Sequence, residues 1–440
     1  MTNSLTRPDG LPPGPELDAE GWLAVERDQP RSLWELYRRY GPLFTVRGPG
    51  RTPRVYVAEP EAIRQIFVLH SKDLHGQGTN LFRPLVGEGS ITFLNGRRHQ
   101  EARRVMSQAI AAADPHQRGR LMADLVSAEV ARIPAGGVPL PEFTNEVTRK
   151  VIIRLLLGAL HPEQGRDLLG AFDRAVAALH DKQLATLAEN EPAAQAAQDR
   201  YAAAEADLGR ILAALLTAHR AGSHAAETTI LDQLLDSPAV LSDAEVVCYL
   251  MTILVSGQET TSSSLAWALC HLAQHPAATT RLRAELAAAD ARDPAGYPAL
   301  PYLQAVCQET LRHSSPVPNG SAQKVRTEFH CAGHTFPAGV EIVPSICVAH
   351  QRETPFADPA DFRPERFLDQ RYHNHEYLPF SVGVRYCPGS AMANQELSIA
   401  LAMIMRDPAV RIDLPPHGVD AITIGPTVRV PGNCLIRRAR

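Results

Sequence analysis

The sequence predicts a mainly α protein with a small β portion, built as one large domain. Three observations predict it. Apolar residues recur at helical spacing from about residue 59 to 315, broken only by Pro and Gly clusters. Short β-branched runs occur near both ends, at 43–46, 55–57, 340–348, 422–424 and 428–430. No linker is long enough to divide the chain, and no repeat of solenoid period is present. A length of 440 residues is ample for a large core. With 45% hydrophobic and 21% charged residues, composition argues against disorder and coiled coil. A formal net charge of -4 argues against a protein that coats nucleic acid by bulk charge.

Residues 1–20, rich in Pro and Gly, read as a flexible lead-in, leaving 21–440 as the folded domain. Helix signals appear at 33–39. Leu43-Phe44-Thr45-Val46 and Val55-Tyr56-Val57 flank Gly48-Pro49-Gly50, which predicts a hairpin with a loose turn. The Ala- and Gln-rich stretch 183–220 predicts a pair of surface helices. A long helix is predicted over 242–274, because Ser242 and Glu245 form a capping box ahead of an apolar run. Another runs over 303–313 and is stopped by Ser314-Ser315-Pro316. Residues 316–360 turn strand-like, 355–386 lack periodicity, and a helix resumes at 390–406. The tail reads as short strands, so the β portion is expected from both ends of the chain.

Location follows from the cysteines and the apolar runs. None of the seven cysteines forms a CxxC pair, which argues against a zinc ribbon, a thioredoxin motif or c-type haem attachment. An odd, unpaired set suits a reducing compartment. The first residues hold no apolar run, and the most apolar helical segment, 246–255, is far shorter than the ~20 residues of a membrane span. The expectation is a cytoplasmic protein with no membrane anchor. Lysine occurs only at Lys72, Lys150, Lys182 and Lys324, a bias read as GC-rich coding and a bacterial source.

The most informative stretch is Phe380-Ser381-Val382-Gly383-Val384-Arg385-Tyr386-Cys387-Pro388-Gly389. It follows irregular chain and directly precedes a predicted helix. A thiolate there lies near backbone N–H groups that stabilise negative charge. Gly383 and Gly389 permit a tight loop and the approach of a flat ligand, and Arg385 adds a cation. The stretch resembles the haem-binding signature of the cytochrome P450 family, Phe-x-x-Gly-x-Arg-x-Cys-x-Gly. Ala393 and Glu396 fit its extension. Ser381 departs from the Gly common at the second position.

Other segments match in order. Glu309-Thr310-Leu311-Arg312 fits the family's Glu-x-x-Arg, and Phe362-Arg363-Pro364-Glu365-Arg366-Phe367 its Phe-x-Pro-Glu-Arg-Phe. The resemblance implies a buried triad of Glu309, Arg312 and Arg366 that supports the cysteine loop. In Gly96-Arg97-Arg98-His99-Gln100-Glu101-Ala102-Arg103-Arg104, His99 and Arg103 share one helix face, which in the family meets the haem propionates. Ser256-Gly257-Gln258-Glu259-Thr260-Thr261 interrupts the long apolar helix, a costly place for charge and hydroxyl unless they are used or hydrated. It is similar to the family's Ala/Gly-Gly-x-Asp/Glu-Thr, with Ser256 a mild departure. There the Thr orders hydrogen bonds to bound dioxygen and the acid relays protons, roles that fall to Thr260 and Glu259.

The resemblance therefore implies a P450 fold with haem b, Cys387 as the axial iron ligand, and Phe380, Gly389, His99, Arg103 and Arg385 around the cofactor. It implies a monooxygenase using dioxygen and electrons from a ferredoxin and ferredoxin reductase. Its substrate would be a hydrophobic small molecule, hydroxylated or epoxidised in bacterial secondary metabolism. Oxidative coupling, desaturation or ring formation is the alternative outcome. A haem sensor is a third reading, and the Glu259–Thr260 pair counts against it. The family's pocket would draw on residues 75–93 and on Gly425-Pro426-Thr427. One departure stands out. Where the family carries a propionate-binding Arg, ten residues before Gly333, this chain has Gln323 with Lys324 beside it. The polar stretch before it suggests that Asn319 or Ser321 reaches the substrate.

Overall fold

The structure, a computed structural model, describes residues 10–75, 83–187, 191–222, 228–424 and 427–439. Its strands are β1 (Leu43–Val46), β2 (Arg54–Val57), β3 (Leu74–His75), β4 (Val138–Pro139), β5 (Gln323–Val325), β6 (Phe329–Cys331), β7 (His334–Phe336), β8 (Glu341–Pro344), β9 (Val410–Asp413), β10 (Ile422–Ile424), β11 (Thr427–Arg429) and β12 (Leu435–Arg438). The rest is mostly helix, as the sequence predicts. The backbone packs as two compact units. One holds residues 10–75, 119–147 and 259 onward; the other holds 83–118 and 148–258.

The main sheet of the first unit has the order β1-β2-β8-β5-β3. β1 and β2 form the expected hairpin, with Leu43 opposite Val57. β2 then pairs in parallel with β8, Val55 opposite Ile342. The sheet thus draws the early runs together with the run 340–348, a β portion from both ends of the chain as expected. A parallel pair is closed by a long crossover, and nothing local in either run encodes the partner. The C-terminal strands are separate: β12 lies between β4 and β9, and β10 pairs with β11. The run 340–348 ends as a strand at Pro344 and turns into the short helix Ile346–Ala349.

The lead-in is shorter than the sequence suggests. Residues 10–17 are docked on the sheet edge, and Leu11 is buried. The N–H of Thr45 donates to Pro13 O (2.9 Å), its Oγ1 to Pro12 O (2.8 Å), and Arg47 N–H to Pro15 O (3.2 Å). Prolines lack an N–H but keep the carbonyl, so a proline-rich strap can accept along an edge without leaving donors unpaired. Gly14 permits the approach, since a Cβ there would stand 1.8 Å from Thr45 O. Helix Ala19–Arg27 follows, with the Asp18 side chain accepting from Gly21 N–H at 2.8 Å. Helix Gln29–Tyr40 then covers the predicted 33–39.

The long helix runs over Asp243–Gln274 and begins at the predicted cap. Ser242 Oγ accepts from Glu245 N–H (3.3 Å), and Glu245 Oε2 accepts from Ser242 N–H (2.9 Å). The serines that follow its polar interruption are buried and satisfied. Ser263 Oγ donates to Val428 O at 2.5 Å, Ser264 Oγ to Thr260 O at 2.8 Å, and Ser262 Oγ lies 2.9 Å from Thr144 Oγ1. In the second unit the pair expected within 183–220 is one helix, Glu191–Arg220, preceded by Pro162–Leu187. Helix Pro301–His313 ends at Ser314 as predicted, and helix Ser390–Arg406 follows the cysteine loop.

Candidate active site

The site is built outward from Glu309. Glu and Arg at i,i+3 share one helix face, and Arg312 grips the carboxylate in a fork, Nε to Oε2 and Nη2 to Oε1, both at 2.8 Å. Arg366 Nε reaches Oε1 at 3.1 Å, and Arg363 N–H donates to the same oxygen at 2.8 Å. All three side chains are 0–1% exposed. Two cations share one anion, so the surplus charge must be met by dipoles. Carbonyls supply them. Arg312 donates to His350 O (2.9 Å) and Asp361 O (3.2 Å). Arg366 donates to Ala357 O (2.7 Å), Asp358 O and Asp361 O (both 3.2 Å). The triad read from the sequence forms, and it dictates the path of the irregular chain that follows residue 350.

From there a chain of hydrogen bonds leads to the cysteine. His350, whose carbonyl Arg312 holds, accepts the N–H of Leu378 on Nε2 at 2.9 Å. Burial, helped by the nearby Arg312 charge, pushes this imidazole down to about 3, so it is neutral and free to accept. Tyr377 stacks on it at 5.5 Å and donates through its hydroxyl to Gln308 O. Leu378 O receives Ser381 N–H (3.0 Å), and Phe380 O receives Cys387 N–H (2.9 Å). His350 is a residue the sequence reading missed; a lone His in aperiodic chain carries no signal of its partner.

The last bond closes the loop 380–387. Two residues in it adopt left-handed backbone, Ser381 (φ 64) and Gly383 (φ 65). At Gly383 only glycine fits, since a Cβ would stand 2.1 Å from Phe67 O. Ser381 occupies a conformation that favours Gly, which gives the family's usual glycine there a physical reason. Cys387 is half-buried and is not in a disulfide. Gly389 caps the helix Ser390–Arg406, and a Cβ on it would lie 3.9 Å from Cys387 Sγ. Phe380 and Arg385 are half-buried, while Val384 and Tyr386 are exposed. Glu396, farther along that helix, is buried with no partner for Oε1, and burial pushes its carboxyl up to about 8. Among the described residues no cluster of three or more His, Cys, Asp or Glu could hold a metal ion. A single thiol on a rigid loop suits an iron that brings its other ligands in a flat macrocycle, so the residues present fit a haem.

The remaining candidates fall in different places. Glu259 and Thr260 lie in the buried polar stretch of the long helix. Glu259 is engaged by Arg429 of β11, with Nε at 2.7 Å from Oε1 and Nη2 on the same oxygen. Arg429 is another residue the sequence did not reveal, being 170 positions away. His99 and Arg103 belong to the second unit, on helix Gly96–Ala111. There His99 is buried and Arg103 half-buried, while Arg97, Arg98 and Arg104 are exposed, so the predicted face points inward. The stretch suggested as a polar wall lies as follows. Asn319 donates its amide to Gln29 Oε1 on helix Gln29–Tyr40 at 2.8 Å, and Ser321 is exposed. Gln323 is buried in β5 and its neighbour Lys324 points to the exposed side. Residues 425 and 426, and most of 75–82, lie outside the described residues.

A mainly α fold with a thiol presented on a rigid loop at a helix start defines a haem-thiolate protein. The profile described as Cytochrome P450 matches residues 8–414, and the chain belongs to that family. It is 31% identical over 409 residues to the provisionally named cytochrome P450 135B1 of Mycobacterium tuberculosis, covering 90% of this chain and 85% of that one. It is 28% identical over 416 residues to the provisionally named cytochrome P450 135A1 of the same organism, covering 92% and 90%. The crystal structure of the cytochrome P450DA heme domain shares the fold, with TM-score 0.82 and 20% identity over 98% of each chain. The protein is thus a haem-iron monooxygenase of a family that binds dioxygen and takes electrons from redox partners. Among the described residues no helix is long and apolar enough to cross a membrane.

Replacing Glu309 by Ala strands two buried guanidiniums. The expected loss of stability is ~3–5 kcal/mol, the cost of breaking a buried ion pair. Urea unfolding of the purified protein measures it; a loss under ~1 kcal/mol would mean that the carbonyls alone suffice.

Proposed function

We propose that this chain is a bacterial monooxygenase of secondary metabolism that hydroxylates or epoxidises a hydrophobic small molecule. In this reading it uses haem b, dioxygen, and two electrons from a ferredoxin and its reductase. The observation that carries the reading is the closed loop 380–387, which holds one thiol at a helix start. Cys387 Sγ is the iron ligand. Phe380 and Gly389 flank it, and Arg385 would meet a propionate, with His99 and Arg103 the further candidates that the resemblance supplies. When bound, thiolate-ligated haem supplies activation of dioxygen, assisted by electron donation from sulfur.

The protein's own part is to hold the sulfur, exclude water and move protons. Backbone N–H groups at the start of helix Ser390–Arg406 favour negative charge on Cys387. Glu259, its side chain 16% exposed, exchanges protons with solvent. Thr260 Oγ1 passes them inward, a task for which an acid and an alcohol side by side are suited. The acid–alcohol pair favours a dioxygen- and electron-dependent enzyme, because a peroxide-driven one has no need of proton delivery. An acidic ferredoxin suits the exposed Arg98 and Arg104.

Two outcomes test this. Cys387→Ser should abolish the red-shifted band of the ferrous CO complex, while Cys331→Ser and Cys434→Ser keep it; a band retained in Cys387→Ser removes the ligand assignment. Thr260→Ala should still bind haem but divert electrons from NADPH into hydrogen peroxide, read as peroxide formed per NADPH consumed. Unchanged peroxide yield would move the role to another hydroxyl.

A further inference from the structure

Glu259, Ser263 and Trp267 recur every fourth residue and so share one face of the long helix. All three bond to two successive residues of β11. Arg429 places Nε and Nη2 on Glu259 Oε1. Val428 O accepts from Ser263 Oγ (2.5 Å) and from Trp267 Nε1 (3.4 Å). Val428 N–H in turn donates to Pro316 O at 2.8 Å, just beyond the Glu309 helix. Thr427 and Val428 are buried, so the strand is fixed by its backbone. The Arg429 guanidinium is directed to Glu259.

The ion pair is largely withdrawn from water, with side-chain exposures of 16% for Glu259 and 27% for Arg429. Such a pair is less screened than a surface one. Thr260 follows Glu259 by about 100° around the helix axis, so Thr260 does not set where the Glu259 carboxylate rests. Arg429 does. We infer that Arg429 is a positioning residue for proton delivery: it holds the Glu259 carboxylate in place and links that acid to the C-terminal hairpin formed by β10 and β11. The inference rests on the reading of Glu259 as the proton relay.

The reaction of NADPH with dioxygen, needing no substrate, reports the relay. One NADPH per dioxygen gives hydrogen peroxide. Two NADPH per dioxygen give two waters; this route takes up four protons where peroxide takes two, and only it cleaves the O–O bond. The haem-loaded full chain, with a surrogate plant-type ferredoxin and its reductase, is assayed as wild type, Arg429→Leu, Arg429→Lys, Glu259→Gln and the Arg429→Leu/Glu259→Gln double variant. Arg429→Gln replaces Arg429→Leu should the latter fail to hold haem. Arg429→Leu is expected to slow water formation about tenfold, less than the ~10²-fold that loss of a proton-transfer group itself costs. Its solvent deuterium isotope effect should rise. Arg429→Lys should restore most of the water, and Arg429→Leu should add nothing in the Glu259→Gln background. As a readout apart from turnover, the fall in Tm caused by Arg429→Leu should shrink in that background. If Glu259→Gln shifts the balance to peroxide and Arg429→Leu leaves it at the wild-type value, Arg429 is a strut and the inference is overturned. If Glu259→Gln itself changes nothing, the relay reading fails and this inference fails with it.

Discussion

The structure depends on one charge imbalance: a single buried carboxylate, Glu309, faces two buried guanidiniums. Such a set holds only if every remaining N–H finds an oxygen, because water cannot reach it. The oxygens come from His350, Ala357, Asp358 and Asp361, all in chain without regular structure. The charges therefore do for this segment what a ladder of backbone hydrogen bonds does for a sheet. Once residue 350 is fixed, its imidazole fixes Leu378, and the turn from Leu378 through Ser381 sets up the bond between Phe380 and Cys387. The thiol proposed as iron ligand is thus held in place by electrostatics several residues removed.

The pair Glu259–Arg429 uses the same chemistry to a different end. Glu309 is sealed at 0% exposure and its role is structural, whereas Glu259 keeps some contact with solvent. The proposed role of proton relay requires exchange with water, which complete burial would defeat. The hydroxyls around it are satisfied within the helix or by Val428 and Thr144. The serines that follow the polar interruption thus find partners, while Gln258 Oε1 is buried without one.

Much of this was legible in the sequence, and the reason is locality. Ser242 and Glu245, Glu309 and Arg312, and the run from Phe380 to Gly389 each carry their meaning within a few residues. The helices 303–313 and 390–406 are likewise marked by their own stops and periods. What stayed hidden is what depends on partners far along the chain. Arg429 meets Glu259 across 170 positions, and Asn319 meets Gln29 across 290. The parallel pairing of β2 with β8 and the docking of residues 10–17 on Thr45 and Arg47 are of the same kind. A polar side chain in a loop, such as Asn319, looks the same whether it bonds a ligand or a neighbouring helix. Gln323, in place of the expected Arg, is buried while Lys324 faces outward, an alternation visible only once the strand was placed.

The central claim is that His350 transmits the order of the buried charges to Cys387. Amide hydrogen exchange in His350→Phe tests it most directly, since Phe keeps the ring beside Tyr377 and removes only the acceptor for Leu378 N–H. The account predicts that the Leu378 and Cys387 amides both lose protection, while the amides of the helix Pro301–His313 keep theirs. Undiminished protection at Cys387 in that variant would contradict it.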